Sequence, residues 1–504
     1  MSDPVVVSCP GKVLLAGGYL VLDRNHQGFV ISTPSRFYTV VQEQSDSNDQ
    51  ATEQANEGQE RVKLSVRSPQ FDDGLWEYQA IKEDGAWIVK ESDTQGSSNS
   101  FVHLSLQATL QIATALSPSA KIGDLFITIV GSNDFYSQSR EDETPIAFAP
   151  LNCTIRNVHK TGLGSSAAMV TSLTSALFLH WTSSPDSTPS DPSPETTQLM
   201  HNLAQYVHSL AQGKIGSGFD VSAAVHGSQV YKRFDVKCLG TLLETGDDKK
   251  TSSQSLLSVL SPSHNPSWTS PSSCASVTPF CLPPHMTLLL ADVDAGSNTP
   301  SMVGKVLAWK KASPVESDRV WNELSKSNEE LAKVFGMLKE EYKDNREAYK
   351  KEVEKLSKVS SKEWSSSSFS LAASAILSTR SLMRTMGESS SVPIEPPSQT
   401  KLLDACTNEI PGVVGAGVPG AGGYDAIWVL CLTPPSSSSS DPTPLENVER
   451  LLRGWTQMSV RPLSRNAWVR GGSEEGERGL KRVRLGDVEG LAGAVERAEG
   501  MSRR

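Results

Sequence analysis

The sequence predicts an α+β protein of two domains. Three observations carry that expectation. At 504 residues the chain exceeds the roughly 250–300 at which one hydrophobic core stops growing. Apolar runs of strand length alternate with stretches of helical period, so both element types are expected throughout. A serine- and proline-rich break, Glu244–Pro284, separates two such mixed regions. The expected division is 1–243, a linker or insertion at 244–284, a second domain at 285–472, and a charged tail at 473–504.

In chain order, Val5–Ser8 and Val13–Ala16 are apolar runs broken by Cys9-Pro10-Gly11. Phe101, Leu104, Ala108, Ile112 and Ala115 recur at helical spacing, and Leu125–Val130 is a β-branched run expected to form a strand. Lys160–Val170, "KTGLGSSAAMV", is a glycine-hydroxyl loop running into a helix. Leu199, Leu203, Tyr206 and Leu210 mark another helix, whose His201 and His208 are expected on the surface or in packing rather than on a metal. Met286–Val293 and Ala426–Leu430 read as strands. Asn322–Lys358 is dense in Glu and Lys, as a solvated helix face is. Ser45–Glu60, Asp93–Ser100, Ser183–Thr197, Glu244–Pro284, Ser357–Ser368 and Thr433–Pro444 carry few large apolar residues and are expected to add little to a core. The tail Ser473–Arg504 is open to helix or disorder.

Composition excludes some partners. The net charge of −10 argues against a nucleic-acid-binding face. No run approaches the ~18 apolar residues of a membrane span, and Met1–Pro10 lacks a signal-peptide pattern. Seven cysteines at scattered positions suit reduced thiols, so a cytoplasmic protein is expected.

The chemistry starts at Lys160–Val170. A helix start presents unpaired amides and a partial positive charge, so an anion, phosphate above all, is its natural occupant. Gly162 and Gly164 permit the tight turn, and Ser165 and Ser166 offer hydroxyls to phosphate or Mg²⁺. No lysine sits inside the loop, so positive charge must come from elsewhere. In "SCPGKVLLAGGYLVLD" (Ser8 to Asp23) Lys12 follows Pro-Gly at a strand start. In "GKIGSGFDVSAAVHGSQVYKRF" (Gly213 to Phe234) Asp220 stands either as a helix cap or as a carboxylate aimed at a metal or lysine. In "IPGVVGAGVPGAGGYDAIWVL" (Ile410 to Leu430) the glycines suggest either backbone against a ligand or a flexible loop. In "DVDAGSNTPSMVGKVLAWK" (Asp292 to Lys310) Thr299 and Pro300 open a second helix that could hold an anion.

Together these segments resemble the GHMP family of small-molecule kinases, whose three motifs appear in order as Pro10–Asp23, Lys160–Val170 and Gly417–Gly423. "VPIEPPSQTKLLD" (Val392 to Asp404) and "NAWVRGG" (Asn466 to Gly472) bring the chain closest to the fungal-type branch that acts on 5-phosphomevalonate. Gly17-Gly18-Tyr19, where many relatives carry Gly-Glu-Tyr, agrees with that branch. The resemblance implies an N-terminal domain with a left-handed βαβ crossover and a ferredoxin-like C-terminal domain. It implies transfer of a phosphoryl group from ATP to 5-phosphomevalonate with Mg²⁺, and no nucleic-acid or membrane partner. Lys12, Lys160 and Asp220 are the expected catalytic residues. Thr161, Gly162, Leu163, Gly164, Ser165, Ser166, Ala167 and Ala168 are expected at the nucleotide, with Ser166 also at the metal. Tyr19, Ser217, Ser301, Lys305, Arg384 and Gly422 are expected at the acceptor. The competing readings are a kinase of an alcohol such as mevalonate, and an inactive ligand sensor.

Overall fold

Val5–Ser8 and Val13–Ala16 are not two strands. In the computed structural model they belong to one continuous strand, β1 (Val5–Ala16), antiparallel to β2 (Gly28–Glu43). The register slips between Pro10 and Lys12. A proline cannot donate to a ladder, and a bulge both tolerates it and re-aims the next side chains. The structure describes residues 3–44, 60–92, 98–137, 146–183, 191–240, 242–243, 251–293, 299–435, 441–472 and 478–501.

The N-terminal half continues with β3 (Arg61–Arg67), β4 (Leu75–Glu83), β5 (Ala86–Glu91), α1 (Ser100–Leu116) and β6 (Leu125–Gly131). Then come α2 (Ser165–Thr182), α3 (Pro194–Ala211), α4 (Phe219–His226) and β7 (Gln229–Lys232). The strands run β1-β2-β6-β3-β4-β5 across one sheet, with β7 also on β2. The pair β3 and β6 is parallel and connected through α1, while the other pairs are antiparallel. Most residues of α2 are buried. It is the central helix, lying on β1 and β2 with α1 and α3 against it.

The expectation that Glu244–Pro284 adds little to a core is corrected where that stretch is described. It forms α5 (Ser253–Leu260) and β8 (Ser276–Pro279), α5 packing on α1 and β8 pairing with β7. Leu256, Leu257, Leu260, Trp268, Phe280 and Leu282 are buried. Few apolar residues suffice here because those present share one side of a short helix and its flanks. Residues 244–250, like 45–59, 93–97, 184–190 and 436–440 of the other polar stretches, lie outside the described residues.

The second half comprises β9 (Met286–Val293), α6 (Thr299–Ala312), α7 (Pro314–Asp344), α8 (Arg346–Leu356), α9 (Ser368–Ser390) and α10 (Pro397–Glu409). It closes with β10 (Val413–Gly417), β11 (Ala426–Leu432), α11 (Pro444–Gly454), β12 (Val460–Pro462) and β13 (Val469–Arg470). Its antiparallel sheet has the order β10-β11-β9-β12, with β13 also on β9. Read in chain order, that is the 4-1-3-2 arrangement of a ferredoxin-like fold. Alternation along β11 serves both faces. Ile427, Val429 and Cys431 meet α10 and α11. Trp428, Leu430 and Leu432 join the large core shared with α7, α8, α9 and the N-terminal half.

The tail, too, is folded where described. β14 (Lys481–Val483) adds to the free edge of β1, and α12 (Leu491–Met501) covers Val6, Val40, Val130 and Phe148. That apolar outer face of the first sheet needs a cover, and Leu491, Ala494 and Val495 provide it.

Candidate active site

The glycine-hydroxyl loop at 160–164 is built on the bulge of β1. The Lys12 amide donates to the Leu163 carbonyl at 2.8 Å. Gly11 is required for this approach, because a Cβ there would lie 2.9 Å from Leu163 O, the Phe135 ring and the Thr33 hydroxyl. Thr161 anchors the other side, its hydroxyl donating to Asp134 O at 2.5 Å. Gly162 and Gly164 both take left-handed conformations, and Gly164 precedes α2 with no side-chain cap. The amides of Ser165, Ser166 and Ala167 donate to no group among the described residues, the first helical bond being Ala168 N to Gly164 O. The result is an open helix N-terminus of the kind that holds anions. Leu163, Ala167 and Ala168 are buried and hold the loop, whereas Gly162 is exposed and Gly164, Ser165 and Ser166 are half-buried at its mouth.

Lys12 supplies the charge that the loop lacks. Its ammonium donates to Gly162 O at 3.1 Å, and its stem crosses Gly164 so closely that a Cβ there would be 2.7 Å from Cε. The Phe219 ring lies 5.6 Å from the ammonium. Desolvation lowers the pKa of Lys12, and the Asp220 carboxylate opposes that effect. Asp220 is not the cap of α4: Gly218 is, with φ 80°, and Asp220 follows in the first turn with its side chain 24% exposed. Its Oδ1 accepts from the Val221 amide at 3.0 Å. The Ser217 carbonyl accepts from the Tyr231 hydroxyl at 2.8 Å. Lys160 is exposed, and its side chain has no hydrogen-bond or ion-pair partner among the described residues. Although the residue as a whole is exposed, desolvation of its ammonium lowers its pKa. No contact joins it to Lys12 among the described residues.

His208, read as a surface or packing residue, is buried beneath the loop. Its Nε2 lies 3.1 Å from Ser166 Oγ and 4.0 Å from Asp220 Oδ2. His201 does pack, near the rings of His226 and Trp268. The signal that could have separated them is the cluster of polar residues, Asn202, Gln205, His208 and Ser209, on a helix whose interior position buries them all. Buried polar groups need partners.

The first and third glycine motifs meet. A side chain on Gly18 would collide with the Gly420 carbonyl, and the Gly420 amide donates to Leu14 O. The glutamate common elsewhere at this position has no room here. Tyr19 is buried and donates to Ala421 O at 2.9 Å. The Gly422 amide donates to Pro419 O, and a Cβ there would collide with the Ile394 carbonyl. The groups through which Tyr19 and Gly422 were expected to meet the acceptor are thus engaged within the protein.

Ser301 and Lys305 lie on the exposed face of α6, whose other face packs through Met302, Val306 and Trp309. Residues 294–298, before α6, lie outside the described residues. Arg384, on α9, donates to Glu395 Oε1 at 3.2 Å and is half-buried. Glu395 is fully buried and already held by both nitrogens of a fork from Arg380, each at 2.8 Å. Arg380 also pairs with Asp404. Sequence reasoning missed Arg380 and Glu395. A cavity of about 30 Å³ lies against them, bounded also by Leu14, Gly18, Met383 and Gly417, with room for a water or two.

A lysine laid across an open helix N-terminus, a carboxylate beside it and a ferredoxin-like second half together define a small-molecule kinase of the GHMP class. A model of the GHMP kinases N terminal domain matches residues 150–228, from just before the glycine-hydroxyl loop to just after α4. Relatives narrow the class. Phosphomevalonate kinase of Aspergillus fumigatus is 37% identical over 446 residues, covering 84% of this chain and 86% of that one. Peroxisomal phosphomevalonate kinase of Arabidopsis thaliana is 36% identical over 476 residues, covering 85% and 90%. The chain belongs to the phosphomevalonate kinase family. Among solved structures, Streptococcus pneumoniae phosphomevalonate kinase in complex with phosphomevalonate and AMPPNP shares the fold, with a TM-score of 0.55 at 14% identity, covering 95% of this chain and 99% of that one.

Proposed function

We propose that Lys12, Lys160, Asp220 and the start of α2 carry out the reaction of this family, transfer of the terminal phosphoryl group of ATP to the phosphate of 5-phosphomevalonate. The products are ADP and 5-diphosphomevalonate. The observation that carries the assignment is Lys12, fixed by Gly162 O and Leu163 O at the mouth of the open amides of α2.

The acceptor is a phosphate monoester with a second pKa of about 6, so its attacking oxygen is already ionised at neutral pH. That oxygen bonds to the γ-phosphorus while the bond to the β–γ bridging oxygen breaks, and ADP leaves with the electron pair. No base is required, and Asp220 instead keeps Lys12 charged and oriented against the desolvation that disfavours its ammonium. The cost to be met is repulsion: two unit charges ~4 Å apart in partly screened surroundings repel by about 4 kcal/mol. Lys12 neutralises charge inside the nest and Lys160 at its exposed rim, while the amides of Ser165, Ser166 and Ala167 hold phosphate oxygens.

The oxygen donors here, the Ser166 hydroxyl and the Asp220 carboxylate brought together around His208, are those a hard cation prefers, so they fit Mg²⁺. When bound, Mg²⁺ neutralises the ATP phosphates. Ser301, Lys305 and the edge of Arg384 not turned to Glu395 serve the acceptor's phosphate and carboxylate, as does Ser217. Tyr19 and Gly422 hold the crevice together instead.

A coupled ADP-release assay tests the reading. Turnover is expected with 5-phosphomevalonate and not with mevalonate. Lys12→Ala is expected to lower kcat by ~10²–10³ with little change in ATP KM, and unchanged turnover would overturn its assignment. We also place the protein in the cytoplasm. No helix among the described residues is long and apolar enough to cross a membrane, and all seven cysteines are free. Since the Arabidopsis relative is named peroxisomal, imaging of the tagged chain is the check, and a peroxisomal pattern would refute it.

A further inference from the structure

His208 has no role in the reaction as set out above, yet its geometry is specific. Its ring is buried, 4% exposed, at the end of α3. On one side of Nε2 stands the Ser166 hydroxyl at 3.1 Å, and on another the side-chain amide nitrogen of Gln212 at 2.9 Å. An amide NH₂ only donates, so the ring nitrogen it faces is an acceptor. The Ser166 hydroxyl faces the same nitrogen and donates to it in a three-centre arrangement, sharing its single lone pair with the Gln212 amide. Asp220 Oδ2, 4.0 Å away, can accept but not donate when ionised. Packing alone would explain a buried ring, near Phe101 for instance, but not one whose Nε2 is aimed at the first turn of α2.

We propose that His208 is a positioning residue that takes up the hydroxyl hydrogen of Ser166 at Nε2 and so turns the lone pairs of that oxygen toward the crevice, where Mg²⁺ draws on them. A serine whose hydrogen pointed into the crevice would present its positive end to the cation. With an acceptor behind it, the same hydroxyl becomes a fixed oxygen donor, as outer partners make of metal ligands generally. Asp220 Oδ2, on α4, stands 4.0 Å from the same ring nitrogen, so the two oxygen donors flank one imidazole edge. The inference rests on the reading of Ser166 as a metal ligand.

The test is metal binding in the full chain, read by calorimetry and by Mn²⁺ electron paramagnetic resonance in the presence of AMPPNP. His208→Phe keeps a ring and removes the acceptor. It is expected to weaken metal affinity ~10–100-fold and to raise the Mg²⁺ concentration for half-maximal kcat in parallel. Nucleotide affinity in EDTA and the melting temperature are expected to stay at the wild-type values. His208→Gln, which restores an acceptor oxygen, is expected to recover most of the loss. Ser166→Ala should reproduce that loss, and the double variant H208F/S166A should be no weaker than S166A alone. Additive losses in the double variant, or wild-type metal affinity in H208F beside a weak S166A, would overturn the proposal. Normal metal affinity in S166A would instead overturn the Ser166 reading beneath it. If H208F does not fold, H208Q decides: a loss as large as that of S166A refutes the role.

Discussion

Two glycine-rich turns pack on the same stretch of β1, one at 160–164 and one at 417–423, and as strings they invite the same interpretation. Gly162 in the first and Gly417 and Gly422 in the second do different work. Among the described residues, a Cβ on Gly162 would meet only that of Ala426, at 3.8 Å, and the amides of Ser165, Ser166 and Ala167 have no protein partner. Beside Gly422 the Ile394 carbonyl fills the place of a side chain, and beside Gly417 the Trp428 indole does so. The Gly420 carbonyl fills the place of a side chain on Gly18. Glycine next to empty space leaves room for a ligand. Glycine next to another backbone leaves room for the protein itself.

Substitution separates the two. Gly422→Ala would drive a methyl group into a backbone carbonyl at a left-handed residue. It should lose ~3 kcal/mol or more in denaturant unfolding while activity per folded molecule holds. Gly162→Ala meets open space, so only the backbone penalty of ~1 kcal/mol applies. Its methyl stands at the phosphate mouth, and the ATP KM should rise about tenfold, 1.4 kcal/mol. If the two losses exchanged places, the distinction between the turns would fail.

Tyr19→Phe probes the closed turn more gently. It leaves the Ala421 carbonyl without its donor, at a cost of ~1 kcal/mol, and the KM for 5-phosphomevalonate should not move. A raised KM would return Tyr19 to the acceptor site.

The smallest effect expected is a shift along the pH axis at the open turn. Burial lowers the pKa of Lys12 from the ordinary 10.5, against the pull of Asp220. The ammonium is therefore lost before that of a free lysine as pH rises, and kcat/KM should fall on the alkaline side through the lowered value. Asp220→Asn removes the opposing carboxylate, so its residual activity should fall at lower pH still. An alkaline limb that does not move would break the link between the two residues.

Much of the architecture was legible because it is written locally. Leu125–Val130, Met286–Val293 and Ala426–Leu430 are apolar runs of strand length, and each is a strand core. Contacts made from afar were not legible. Cys9-Pro10-Gly11 reads as a break, and only the bulge opposite β2 makes it continuous. The stretch 251–284 looks polar until α1 and β7 collect its few leucines and aromatics. The tail looks unattached until the outer face of the first sheet needs covering.

The sequence by itself determined that Gly162–Ser166 turns tightly into an open helix N-terminus and that any balancing positive side chain must come from outside the loop. Left-handed glycines, unpaired amides and aligned peptide dipoles act within one turn of chain. Only the tertiary structure decided that Lys12 crosses Gly164, that His208 backs Ser166, that Arg384 shares Glu395 with Arg380, and that Gly422 faces protein. Each of those depends on which distant atom fills a given few ångströms, and close packing sets that for all segments at once.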